Sequence, residues 1–297
     1  MVTQAGFEVN RRLLAEVPEV HAVLTEEESE SISFVRWIGG RPIAAPNGNL
    51  GSVVELTLER ARGRLSSRVA VHPVDASVVP DPELSEMETE LMARLGKELA
   101  APAGTLARPL DETGSSARET PLGSLVADAF RAGTDADVAL VPGSSLRAPL
   151  PAGALSMRDV VAVLPFGNRV ATVELAGADL RAVLERSLAA VGGRTGSLLQ
   201  LSGVTLEADL GAPAGRRLLA VRIADVPLRE DARYRVAVSS FLAAGGDGQA
   251  ELAAGRRLGG VEPLDADLLA EHLRRLSRGG AAEPPPLGRM ALTPPRG

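Results

Sequence analysis

Few side chains in this sequence are placed to do chemistry, and those few sit in loops. Of its 5 phenylalanines, two lie in glycine-containing loops, Phe166 in PFGN and Phe241 in SFLAAGGDG. An aromatic ring in such a loop is badly placed for a core and well placed to stack on a planar ligand. The alternative is a ring that plugs the base of its own loop. Asp247, inside Gly245-Gly246-Asp247-Gly248, can accept hydrogen bonds from sugar hydroxyls or make an Asx turn. Arg118 and Arg147 end loops beside strands, where a guanidinium can hold a phosphate through two parallel bonds or join an ordinary ion pair. The histidines, His21, His72 and His272, have no second ligand at metal-binding spacing and read as structural. The acidic block Glu26-Glu27-Glu28-Ser29-Glu30 suits a hard cation or a solvated loop. There is no cysteine, hence no thiolate chemistry, and no phosphate loop of the G-x-x-x-x-G-K-[ST] type.

Alternating strands and helices must position these loops from about residue 105 onward. Pro121 opens a helix with Leu122, Leu125, Val126 and Ala129 on one stripe. DVALVP (137–142) reads as a buried strand that runs into the GSSLR loop, and Ser156 with Asp159 three residues on reads as a capping box. RVATVEL is a strand, and 178–191 a helix with Leu180, Val183, Leu184 and Leu188 inward. LLQLSGVTLEADL, RRLLAVRIADVPL and YRVAVSS are strands, and 265–277 is a final helix. Upstream, Val9, Leu13, Leu14 and Val17 follow helical spacing. Several strands follow, two of them flanking a Gly39-Gly40 hairpin turn, with no core of their own in view. Leu84, Met87, Leu91, Met92, Leu95 and Leu99 then mark one amphipathic helix that connects the two regions.

Composition bounds the answer. With 45% hydrophobic residues and a net charge of −6, the 297-residue chain folds around a sizeable core. The acidic balance argues against nucleic acid or anionic lipid as partners, since both call for a basic face. No stretch of about 18 apolar residues is long enough for a membrane helix. The opening residues carry acids and no apolar run, so they do not read as a secretory signal, and the compartment stays open.

Taken together, RETPLGSLVADAF (118–130), DVALVPGSSLR (137–147), VLPFGN (163–168), the helix around LERS (184–187), LQLSGV (199–204) and YRVAVSSFLAAGGDG (234–248) resemble the C-terminal domain of the 5'-nucleotidase family, in the family's order. The resemblance covers roughly 105–275. It implies an α/β fold: a partial metallophosphatase-like sandwich at 1–79, a linker helix at 80–104, the layered nucleotide-binding domain at 105–277 and a flexible tail at 278–297. It also implies a nucleotide or nucleoside ligand. The base would lie between Phe166 and Phe241, beside Asn168, with the ribose on Asp247 and the phosphate on Arg118 and Arg147. The sequence departs from the family at Pro142 and Ser144-Ser145, where Asn and Gly-Gly are usual, at Ser124 for a common Asn, and at Gln249 for a common Tyr.

The family's hydrolysis uses two divalent metal ions, held by an N-terminal domain. VPEVHAVLTEEESES resembles the stretch where the family carries Leu-Thr-Gly-His-x-His, but Glu26, Glu27 and Ser29 stand for Gly, His and His, and Gln4 for a further His. The Asp-x-His and Gly-Asn-His-Glu motifs do not occur here. The resemblance therefore implies a chain with no metal ligands, no catalytic residue and no cofactor of its own, inactive alone. Such a chain would serve as a nucleotide-binding or interaction module, or as one part of a split hydrolase with a nucleotide or, as in thiosulfohydrolases, a different substrate. Uncovered apolar strands over residues 1–75 would then support self-association or a partner chain.

Overall fold

The computed structural model describes residues 1–25, 33–47, 51–191 and 197–294. The chain divides into two compact units, Met1–Glu90 and Leu91–Gly297.

In the first unit, β1 (Val2–Thr3), α1 (Phe7–Glu16), β2 (Val23–Thr25), β3 (Phe34–Ile38) and β4 (Arg41–Ala45) form a sheet in the order β1-β2-β4-β3 with a helix on it. Gly39 and Gly40, at φ +55° and +77°, make the expected two-residue turn between the antiparallel β3 and β4. This region does have a small core of its own, contrary to the expectation from sequence. Leu14, Val23 and Ile43 are fully buried, with Phe7, Leu13, Val20, Phe34 and Ile38 packed around them. Phe7 and Phe34 meet edge to face, their centroids 6.1 Å apart. Arg41 donates to the carbonyls of Leu14, Val17 and Val20 and so caps the end of α1. His21 precedes β2 rather than lying in it. β5 (Ser52–Ala61) and β6 (Arg64–Pro73) pair as a separate two-stranded ribbon, on which Val53, Leu58, Leu65 and Val71 are exposed. Helix α2 spans Pro82–Leu99 and contains the boundary between the two units, and the Asp81 carboxylate accepts the backbone N–H groups of Glu83 and Leu84 at its start.

The second unit opens with β7 (Pro102–Leu106), α3 (Pro121–Thr134), β8 (Val138–Pro142), β9 (Gly153–Ser156) and α4 (Met157–Val163). It continues through β10 (Val170–Ala176), α5 (Gly177–Ala190), β11 (Leu199–Ser202), β12 (Val204–Asp209), β13 (Leu218–Ile223), β14 (Val226–Pro227) and β15 (Arg233–Ser239). It closes with α6 (Ser240–Ala243), α7 (Ala250–Ala254), β16 (Arg256–Arg257), α8 (Asp265–Leu276) and β17 (Met290–Thr293). A central sheet runs β11-β8-β15-β10-β16, and a second runs β14-β13-β12-β17. Along β8, Ala139 and Val141 join a core with α3, α4 and α8, while Val138 and Leu140 join a core with α5 and the second sheet. The sheet is covered on both faces, which is why DVALVP reads as an unbroken apolar run.

The tail corrects the sequence reading. Residues 278–294 were expected to be aperiodic and mobile, yet Ala282 pairs with Leu106 and β17 adds in parallel to β12. Two side chains far upstream hold this segment. The Glu119 carboxylate accepts the backbone N–H groups of Gly288, Arg289 and Met290. Arg289 forks onto both oxygens of Asp128 at 2.9 and 2.7 Å and also reaches the Leu201 carbonyl. A four-residue strand shows no period of its own, and its anchors lie more than a hundred residues away. Arg289 and Asp128 are 18% and 24% exposed, so this pair is mostly shielded from water. Arg289→Ala should destabilise the domain by about 2 kcal/mol, the scale of hydrogen bonds to a charged group. That lowers the thermal midpoint by about 4–8 °C in calorimetry; an unchanged midpoint would contradict this role.

Candidate functional site

The topology brings the candidate loops to one end of the central sheet. β8 and β15 are parallel, with Val138 opposite Val236, so their C-terminal residues, Pro142 and Ser239, emerge on the same side. β10 is antiparallel to β15 and begins there, with Val170 opposite Ser239. β11 is antiparallel to β8, with Leu199 opposite Pro142. The loops that carry Ser144-Ser145, Phe166-Asn168, Ser197 and Phe241-Asp247 therefore converge. In open α/β sheets this end of the strands is where ligands bind.

A cavity of about 300 Å³ lies there, lined by Pro142, Ser144, Ser145, Phe166, Asn168, Ser239, Phe241 and Asp247. Four of the six expected binding residues share it. Phe166 is 60% exposed and Phe241 48%, so both rings reach solvent. The Phe241 ring also lies against Gly246 of its own loop, where a Cβ would come within 2.5 Å of it. Asp247 sits in the left-handed region at φ +53° between flanking glycines and lines the cavity. One of its carboxylate oxygens is buried with no hydrogen-bond partner, and burial holds its pKa above the ordinary value. An acceptor left so costs free energy until a donor arrives. Asn168 accepts a bond from the Ser240 hydroxyl at 3.4 Å.

Arg118 and Arg147 do not line the cavity. Both are exposed, and each donates to a nearby carbonyl, Arg118 to Thr113 and Arg147 to Ser144. Their loops nevertheless adjoin it. Gly143 packs so closely on Ser115 that a Cβ would lie 1.9 Å from its carbonyl oxygen. Ser144, on the cavity wall, donates its N–H to Ser197. The sequence reading missed the residue that holds the Arg118 loop, Gln200. Its fully buried amide donates to the carbonyls of Ser115 and Arg118, both at 2.7 Å, and accepts the N–H of Thr120 at 3.0 Å. The signal available was a polar residue amid apolar neighbours in LQLS. It also missed Ser239, whose hydroxyl accepts the Leu242 N–H and starts α6 directly behind Phe241.

The described residues do not fit a two-metal centre. No three His, Asp or Glu side chains among them come together as a metal would require. His72 is bonded to Glu55, His21 to the Glu19 carbonyl and His272 to Arg275. Glu26, Glu27 and Ser29 lie outside the described residues.

A profile of the 5'-nucleotidase C-terminal domain matches residues 99–254, a stretch that contains every candidate binding residue. The chain belongs to the 5'-nucleotidase family. It is 29% identical over 238 residues to the trifunctional nucleotide phosphoesterase protein YfkN of Bacillus subtilis, a match spanning 75% of this chain and 16% of that protein. Against the snake venom 5'-nucleotidase of Naja atra it is 29% identical over 248 residues, 74% of this chain and 46% of that enzyme. The fold is similar to the crystal structure of a 5'-nucleotidase precursor from Thermus thermophilus, with a TM-score of 0.68, 24% identity, and coverage of 92% of this chain and 59% of that one. It is also similar to the sulfate thiohydrolase SoxB of Thermus thermophilus, with a TM-score of 0.66, 21% identity, and coverage of 98% and 54%. The chain thus spans about half the length of most of these relatives and less of the largest.

Of the positions where the sequence departs from the family pattern, three meet at the cavity, whereas Ser124 is buried in α3 with its hydroxyl donating to Glu119. Pro142, Ser144 and Ser145 line the cavity itself, and Gln249 is buried, its side-chain oxygen accepting from Arg186 at 3.4 Å. The Gln200 brace is the feature most open to a direct test. Gln200→Ala would leave two carbonyls and an N–H unpaired in the interior, at about 1–3 kcal/mol for each group that water cannot reach. A loss of about 3 kcal/mol in urea denaturation is expected; a loss below about 1 kcal/mol would show that the loop is held by other contacts.

Proposed function

We propose that this chain binds a nucleoside or nucleotide between Phe166 and Phe241, and that by itself it does not hydrolyse the phosphate ester. The observation that carries the reading is the convergence of two exposed rings and an unpartnered carboxylate oxygen on one cavity of about 300 Å³. That volume is at the small end of ligand pockets, about 300–1,000 Å³, and suits a single nucleoside better than a polymer. A base between the rings gains stacking on both faces. The ribose hydroxyls donate to Asp247 and relieve its orphaned oxygen, and the Asn168 amide meets the base edge. The phosphate would extend toward Ser144, Ser145 and the exposed Arg147, with Arg118 on the adjoining loop.

The family's hydrolytic chemistry depends on two divalent ions that polarise the phosphoryl oxygens and activate water. The described donors do not fit that pair, so no hydrolytic step is assigned to this chain. Purified protein should release no phosphate from adenosine monophosphate with added manganese, zinc or cobalt. Turnover that rises with metal and copurifies with the chain would overturn this part of the reading. A second reading takes a non-nucleotide substrate, because Pro142, Ser144 and Ser145 alter the cavity wall and the fold is shared with a sulfate thiohydrolase. Such a ligand would not need the two rings.

Calorimetric titration separates these readings. Adenosine should bind the wild type, and Phe166→Ala or Phe241→Ala should weaken it about tenfold, since stacking contributes about 1–3 kcal/mol per base. Asp247→Ala should weaken adenosine and leave adenine nearly unchanged. Gly246→Ala should weaken both ligands, because the new methyl would sit within about 2.5 Å of the Phe241 ring and force it to move. No binding of adenosine, adenine or adenosine monophosphate at millimolar concentration would refute the nucleotide reading. Binding that ignores both ring deletions would place the ligand elsewhere.

A further inference from the structure

The turn that carries Asp247 is joined to helix α7 by Gln249, which is 2% exposed. The Gln249 N–H donates to the Gly246 carbonyl at 3.1 Å and closes the turn. The Gln249 carbonyl accepts the N–H groups of Leu252 and Ala253 and opens the helix. The turn also rests on that helix, since a Cβ at Gly245 would lie 3.3 Å from the Ala253 Cβ. Arg186 on α5, a residue that does not line the cavity, grips this joint. Its guanidinium donates to both carboxylate oxygens of Glu251, at 2.7 Å to one of them, and to the Gln249 side-chain oxygen at 3.4 Å. The Arg186 and Glu251 side chains are 37% and 21% exposed, so the fork is partly shielded from water.

We propose that Arg186 is a positioning residue for Asp247: its bonds to Glu251 and Gln249 fix the turn that aims the Asp247 carboxylate, and so tune the affinity for ligands that carry a sugar. The inference rests on the nucleoside-binding reading above. Helix α7 has only five residues, Ala250–Ala254, too few to hold a helix by themselves. One of its side chains, Leu252, enters the core. A single apolar anchor sets the depth of the helix and leaves it free to rotate. Two parallel N–H···O bonds to a carboxylate fix orientation as well. The bond to Gln249 carries that orientation into the turn, two residues beyond Asp247. Asp247 holds a φ of +53°, a conformation that a non-glycine residue keeps only where its surroundings impose it.

The bracket acts on one part of the ligand. Phe166 stands on a different loop, between α4 and β10. The Phe241 ring touches the turn at Gly246, but its backbone is fixed from the other side. The Ser239 hydroxyl accepts the Leu242 N–H, and the Ser240 N–H donates to the Arg169 carbonyl, bonds in which Arg186 has no share. Loss of Arg186 therefore leaves the stacking slot largely in place and frees the carboxylate to drift. A ribose-bearing ligand should feel that loss, a free base should not, and neither should feel it once the Asp247 carboxylate is gone.

Two measurements on the full chain test this. The first is calorimetric titration with adenosine and with adenine. Arg186→Ala should weaken adenosine about three- to tenfold, within the range of couplings inside one bonded network, and adenine by less than about twofold. Glu251→Gln, which keeps its shape and loses the charge and one accepting oxygen, should act in the same direction and carries the test if Arg186→Ala does not fold. With Asp247→Ala already in place, Arg186→Ala should cost adenosine nothing further. Unchanged adenosine affinity, equal losses for adenosine and adenine, or a full extra loss on top of Asp247→Ala would overturn the proposal. The second measurement follows amide hydrogen exchange without ligand. Exchange at Gln249, Leu252 and Ala253 should quicken in Arg186→Ala, while Val236–Val238 in β15 stay as protected as in the wild type. Unchanged exchange at those three amides would also overturn it. Quickened exchange in a chain whose wild type binds no adenosine would sustain the bracket and defeat the nucleoside reading instead.

Discussion

The parallel pairing of Val138–Leu140 with Val236–Val238 decides where the loops of the candidate cavity meet. Strand ends that emerge together must be capped by loops that meet. In this chain those loops carry the two exposed phenylalanines, the left-handed Asp247 and the serine-rich turn after β8. Reverse the direction of either strand and the residues of the cavity would lie at opposite ends of the sheet. The pairing is secured by burial on both faces, with Val138 and Leu140 in one core and Ala139 and Val141 in the other. A one-residue slip would exchange these sets.

Convergence of loops does not by itself make a rigid site. A buried polar side chain supplies rigidity. Gln200 reaches from β11, at the edge of the sheet, to three backbone groups of the loop before α3. It satisfies backbone groups that water does not reach, so it is costly to replace by an apolar residue. The cavity side of the loops is left with the opposite property. Its rings are exposed and its carboxylate is incompletely bonded. Rigid support behind and unsatisfied groups in front are what a preformed ligand site requires.

Much of this was legible in the sequence. The 3.6-residue stripe at Leu122, Leu125, Val126 and Ala129 marks α3, and the Ser156–Asp159 spacing marks the start of α4, where the carboxylate accepts both the N–H and the hydroxyl of Ser156. Phe166, Phe241 and Asp247, in glycine-containing loops, could be singled out because their local chemistry is visible without a fold. What stayed hidden depends on long-range partners. The strand at Met290–Thr293 is held by Glu119 and Asp128, and the small core around Leu14, Val23 and Ile43 is assembled from a helix and two strands with too few apolar residues each to show. Gln200 looks like an ordinary polar residue until its distant partners are known.

A planar base between Phe166 and Phe241 is the centre of this picture, and proton chemical shifts of bound adenosine test it directly. Protons held over the face of a phenyl ring move upfield. Titrated with this chain, the two carbon-bound protons of the base should shift upfield, far more than the ribose protons, and the shift should shrink when either ring is replaced by leucine. Base protons that bind without moving upfield, or that move equally in both leucine variants and the wild type, would contradict the stacked base.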